Sequence, residues 1–227
     1  MTRKPFTITL GVVLAGAALT ACGPLKTGAA ALVGNDRITV AKLNATVAEW
    51  SKELPKYPAA QQIAQQAQAQ GQQVPFDPSS PQRSALYQLV DMRVWEEVAR
   101  NGGVRVSGGQ VDALIARNGG MATLDANVVA QGLPVRYSRD YAKSVLLRQA
   151  VLQRYGVTTA TDQQSQQQAL QQVAGSYQRA GRRLKLDVNP RYGSFDFQHM
   201  TLGPVCPTLS KPDSGTPSAS GGTSCQV

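Results

Sequence analysis

AAALVGNDRITVAKLNATVAEW, residues 29–50, is the stretch whose reading decides the fold. Ala31, Leu32 and Val33 make a short apolar strand. Gly34-Asn35-Asp36 is turn chemistry, because Gly and Asn tolerate positive φ. Arg37-Ile38 then leads to Thr39, which is placed to cap a helix through Val40, Leu43, Val47 and Trp50. Those apolar residues recur every three or four positions and so share one helical face. A strand this short cannot stand alone, since its backbone donors and acceptors need partners.

The partner has to be sought far along the chain. LKLDVNPRYGSFDF, residues 184–197, alternates apolar and polar at Leu184, Leu186 and Val188, which is the strand period. It is the good candidate to pair with residues 31–33. The pairing makes the first strand one half of a split domain, with the intervening helices as its body. The expected fold class is therefore mainly α: a multi-helix domain with a small pairing of strands 31–33 and 184–188.

Outward from that frame, the N-terminus reads as an export signal. Arg3 and Lys4 make a positive n-region, and Phe6 to Leu19 is an apolar run of signal-peptide length, short for a spanning helix. It ends in Leu19-Thr20-Ala21-Cys22, which resembles a bacterial lipobox. Residues 1–21 are expected to be removed, and Cys22 to carry acyl chains on a tether over residues 22–30. The expected location is the outer face of the bacterial cytoplasmic membrane.

The formal charge of +9 falls by two when Arg3 and Lys4 leave with the signal. Nucleic acid is not the expected partner, because no groove-reading motif and no dense basic run is present. A basic surface beside anionic lipid headgroups accounts for the excess. Of the three cysteines, the lipid takes one. Cys206 and Cys225 are an even pair in an oxidising compartment, and a disulfide between them is expected. It would close a loop of about twenty residues, with an entropic contribution on the order of 3 kcal/mol. Two cysteines and one distant histidine do not supply four zinc ligands, so no metal is expected.

The body reads as helices. Residues 53–83 hold five prolines around a Gln/Ala stretch, 59–73, whose one large apolar side chain is Ile63. It has little to bury, and reads as an exposed arm or linker. Ser84 to Asn101 is the best helix, apolar over much of its circumference through Leu86, Leu89, Val90, Val94 and Val98, with Met92 and Trp95 widening the face. Such a helix is a core element or the floor of a peptide groove, and periodicity does not separate the two. Ser107 caps a short helix carrying Val111, Leu114 and Ile115. Thr123 or Asp125 starts another, and Ser138 caps the next, Arg139 to Tyr155. Thr161 caps a Gln-rich surface helix, residues 162–183. Residues 203–227 are Pro/Ser/Gly-rich and read as a tail outside the core.

In that order the segments resemble a known family. ALVGNDRITVAKL is similar to the opening of SurA and PrsA chaperone domains. GGVRVSGGQVDALI after the long helix, then QGLPVRYSRDYAKSVLLRQAVL, then LDVNPRYGSFD, resemble successive later segments. The resemblance implies a helical domain over residues 31–202, of the kind shared by SurA and trigger factor, binding incompletely folded polypeptides outside the cytoplasm. It departs from the full-length foldases in one respect. They carry a parvulin isomerase domain of roughly a hundred residues before the last strand, and only residues 156–183 stand in that place here. A parvulin histidine pair is excluded, since His199 is the one histidine.

No G-x-S-x-G, P-loop or H-E-x-x-H pattern is present. Asp91, Glu96 and Glu97 are not spaced as a close pair on one helical face. The expectation is a lipid-anchored chaperone for unfolded exported proteins, with no enzymatic activity and no cofactor. Met92, Trp95, Tyr137 and Tyr141 are the candidates for its adaptable apolar surface. The alternative is an interaction lipoprotein of the envelope that holds one specific partner through the same fold.

Overall fold

The computed structural model describes residues 28–69 and 79–205. Cys22, Cys206 and Cys225 lie outside the described residues, as do the signal segment and most of the tail. What is described is mainly helical, with a small antiparallel sheet at the seam between the two ends of the domain.

Strand β1 (Ala29–Val33) is the centre of that sheet, not its edge. The sheet has the order β2-β1-β3, where β2 is Asp36–Thr39 and β3 is Asp187–Val188. The distant pairing holds: Ala31 lies opposite Val188 and Leu32 opposite Asp187, antiparallel. It is confined to two residues, and Leu184 instead closes the preceding helix, its carbonyl accepting from the Gly34 N–H at 2.6 Å. The third strand is an addition to the sequence reading. Arg37-Ile38-Thr39 turns back through Gly34-Asn35 to pair with β1, Leu32 opposite Arg37 and Val33 opposite Asp36. Gly34 supplies the positive φ of +64° that this tight turn needs.

Thr39 then does what its position predicts. Its Oγ1 accepts from the Lys42 N–H at 3.0 Å and caps helix α1 (Val40–Glu53). Leu43, Val47 and Trp50 face the core, and the Trp50 indole donates to the Val129 carbonyl at 2.8 Å. Helix α3 (Pro81–Asn101) is the central element, beginning three residues before the expected Ser84 with Pro81 in its first turn. It packs on α1, β1, α6 (Ser138–Arg154) and α7 (Gln163–Arg183). Its core reading therefore wins over a groove along its whole length: Leu86, Val90 and Val94 are fully buried.

Two segments expected at the surface are docked. Residues 58–69 of the Pro/Gln-rich arm form helix α2 (Pro58–Ala69), which packs on α5 (Gly120–Ala130) and buries Ala60. Helix α7 is Gln-rich but lays Val173, Tyr177 and Ala180 against α3. Its last turn meets Phe197, and there a Cβ at Gly181 would overlap the Phe197 ring. Phe197 lies in the turn of a second small hairpin, β4 (Phe195–Asp196) with β5 (Thr201–Leu202), that no periodicity announced. Phe195 stacks on Tyr87 and Tyr177, and Arg83 donates to the carbonyls of Leu202 and Gly203. The described end of the chain is thus tied to the start of α3.

The caps correct three further details. Helix α4 (Gly108–Arg117) has the expected Ser107 cap, completed by Gln110 into a capping box. Asp162, not Thr161, caps α7 through the Ser165 N–H. Ser138 caps nothing; its hydroxyl donates to Asp125 at 2.5 Å and joins α6 to α5. The start of α5 is set by Gly119 and Gly120, both with positive φ, three residues before Thr123.

Candidate functional site

The four candidate surface residues do not share one surface. Met92 and Trp95 are 8% and 4% exposed, because α3 is enclosed by helices on several sides. Met92 and half-buried Tyr137 meet in a small cleft of about 110 Å³, walled also by Ile38, Leu89, Lys42 and Asp140. Trp95 belongs to another cluster. Its ring meets Tyr177 edge-on at 5.3 Å, and the Arg148 guanidinium lies 5.0 Å above it. Tyr141 is half-buried, and burial raises its hydroxyl pKa within the field of Arg148 and Asp91.

Asp91 is the hub of that cluster and the carboxylate most removed from water. One oxygen accepts from the Tyr177 hydroxyl at 2.8 Å and the other from Arg148 at 2.5 Å. The Trp95 indole also favours the carboxylate. Burial pushes the Asp91 carboxyl above its ordinary value, and Arg148, Tyr177 and Trp95 pull against that rise. Burial, followed by the nearby carboxylate, raises Tyr177 well above the usual phenol range. This arrangement satisfies a buried carboxyl group and gives it no free face. Asp91 lines neither cleft. Its role is to join α3, α6 and α7 rather than to move protons for a substrate.

The larger opening is elsewhere on α3. An open cleft of about 420 Å³ lies between the C-terminal half of α3, the segment Gly103–Val106 and helix α6. Ala99, Val104, Val106 and Leu147 make it apolar, and Glu96, Arg100, Arg105 and Lys143 bring charge to it. Glu96 is held between Lys143 at 3.0 Å and Arg93 at 3.1 Å. Burial alone would raise its carboxyl, but these two cations outweigh burial and hold it below the ordinary value. Arg100 pairs with Glu97 at 2.9 Å. Sequence reasoning missed this site because its walls come from two stretches, residues 96–106 and 143–147, that lie far apart in the chain. The available signal was GGVRVS, a brief extended stretch straight after the best helix.

His199 is exposed and its Nδ1 lies 2.6 Å from Asp196, whose carboxyl it holds below the ordinary value. Among the described residues no third group joins them in a catalytic constellation. Among the described residues no group of three or more His, Cys, Asp or Glu side chains is placed to hold a metal ion. No helix among them is long and apolar enough to cross a membrane. In comparison with known proteins, no family model, no curated protein and no solved structure matches the chain.

Proposed function

We propose that the protein is a SurA-like chaperone, lipid-anchored through Cys22 outside the cytoplasm, which binds unfolded or partly folded exported polypeptides without isomerising prolines. The observation that carries this reading is the open cleft beside α3. It joins apolar surface to a charged rim, the combination that a chain segment with exposed apolar residues requires. Its openness suits a passing chain better than a small molecule, which is normally enclosed over most of its surface. Weak contacts of this type release a client as readily as they hold it.

Two further features support the reading. The domain is assembled from both chain ends by the β1–β3 pairing, as the resemblance implies. Residues 156–183, where the foldases insert their catalyst, are here occupied mainly by α7, which packs on α3 as part of the body.

Aggregation assays test the proposal. The full chain, at near-stoichiometric amounts, slows aggregation of several unrelated unfolded proteins. Inactivity toward all of them, together with tight capture of a single envelope protein, favours the interaction lipoprotein instead. Acceleration of prolyl isomerisation in a peptide substrate overturns the non-enzymatic part of the reading.

A further inference from the structure

Residues 104–106 alternate in burial. Val104 and Val106 are half-buried against the core, and Arg105 between them is exposed. That is the period of an extended strand, yet the segment belongs to neither sheet. Its backbone has few partners. The Val104 N–H donates to the Ala99 carbonyl at 2.8 Å, and the Ser107 N–H donates to the Gln110 side chain at 2.8 Å. Between these two bonds, the N–H groups of Arg105 and Val106 and the carbonyls of residues 104–106 have no hydrogen-bond partner among the described residues.

An extended chain points the N–H and C=O of one residue to the same edge and those of the next residue to the other. The Val104 edge is turned toward Ala99 by its hydrogen bond. The opposite edge presents both backbone groups of Arg105, which is half of a closely spaced antiparallel pair. A residue directly opposite would exchange both bonds with Arg105. Its side chain would stand beside the Arg105 side chain on the outer face, and its neighbours would turn inward over Val104, Val106 and Leu147.

Charge selects that residue. Arg100, Arg105 and Lys143 line the cleft against one carboxylate, Glu96, which Lys143 and Arg93 already flank. The Arg105 side chain makes no ion pair among the described residues. We infer that the Arg105 edge takes up an extended peptide by antiparallel strand addition, with an acidic residue opposite Arg105 and an apolar residue on each side. The inference rests on the reading of the protein as a polypeptide binder, and it names the class of segment bound. Main-chain bonds supply affinity in such a mode, while alternate side chains supply selectivity.

A fluorescent peptide of about six residues alternating valine and glutamate, an ordinary strand length, tests this by anisotropy with the full chain. N-methylation of the glutamate amides, which face Arg105, weakens binding roughly tenfold or more, because the methyl group removes the donor to the Arg105 carbonyl and its bulk breaks the companion bond from the Arg105 N–H. N-methylation of the valine amides leaves binding within about twofold, because those amides face away. Arg105→Glu weakens the glutamate peptide and transfers the preference to a valine–lysine peptide. Equal losses from the two methylations, or an Arg105→Glu protein that binds both peptides as before, overturn the inference. Undetectable peptide binding by a protein that still suppresses aggregation also overturns it and leaves the broader proposal standing. Loss of both activities overturns both.

Discussion

Tyr177→Phe is the sharpest test of what holds the helices together. The substitution removes one oxygen and keeps the ring, so the contacts with Trp95 and Phe195 survive. What disappears is the donor 2.8 Å from Asp91, in a place where neither group meets water: Tyr177 is fully buried and Asp91 is 3% exposed. Where Asp91 is ionised, a hydrogen bond to it contributes about 1.5–3 kcal/mol, and no exposure discounts it here. For a chain of this size, a loss of about 2 kcal/mol lowers Tm by roughly 4–8 °C. The dependence on pH follows from Asp91. Its folded value is raised, so its contribution to stability is full below the unfolded value and lost as pH rises through the folded one. The Tyr177 hydroxyl opposes that loss, because it favours the anion. The deficit of the variant is therefore largest where Asp91 is ionised, and it narrows as acid protonates the carboxyl. Urea unfolding of the full chain reads this directly through Trp50 and Trp95, both buried. A deficit below about 0.5 kcal/mol at neutral pH, smaller than an ordinary hydrogen bond, would refute the reasoning. So would a deficit that stays constant across the titration of Asp91.

Gly181→Ala places a methyl group against the Phe197 ring and destabilises by about 1–3 kcal/mol through overpacking; Phe197→Leu in the same chain recovers part of the loss, and no recovery sinks the packing argument. Ser107→Ala removes the side-chain half of the capping box, the acceptor for the Gln110 N–H, and costs about 1 kcal/mol, read as a shift of the urea midpoint at constant slope. Cys22→Ser releases the protein from the membrane fraction of cells expressing it; continued retention contradicts the lipid anchor.

Much of the fold was legible because large apolar residues recur at a helical period. Thr39, Leu43, Val47 and Trp50 announce α1, and the Ser107 cap announces α4. The β1–β3 pairing was legible because residues 184–188 carry a strand period that can lie opposite residues 31–33. The β2 strand was not, since only Ile38 turns inward and ITV also reads as the entry to a helix. Helix α7 misled for a different reason. Alanine, serine and glycine at positions 169, 176, 180 and 181 let it approach closely, but small residues add little to an apolar period. The large cleft had no motif at all. Its floor joins Ala99 and Val104 to Leu147, and only the folded α3–α6 contact puts them side by side.

The seam at β1 also has a clock attached. The bond from Asn189 Nδ2 to the Ala29 carbonyl joins residues 160 positions apart. At ordinary rates of chain growth, roughly 5–20 residues per second, β1 emerges on the order of ten seconds before β3 exists. In that interval β2 covers one edge of β1 and the other edge is unclaimed. A nascent chain in this state carries its own sticky strand, and whatever engages it during those seconds decides whether the last segment finds its place.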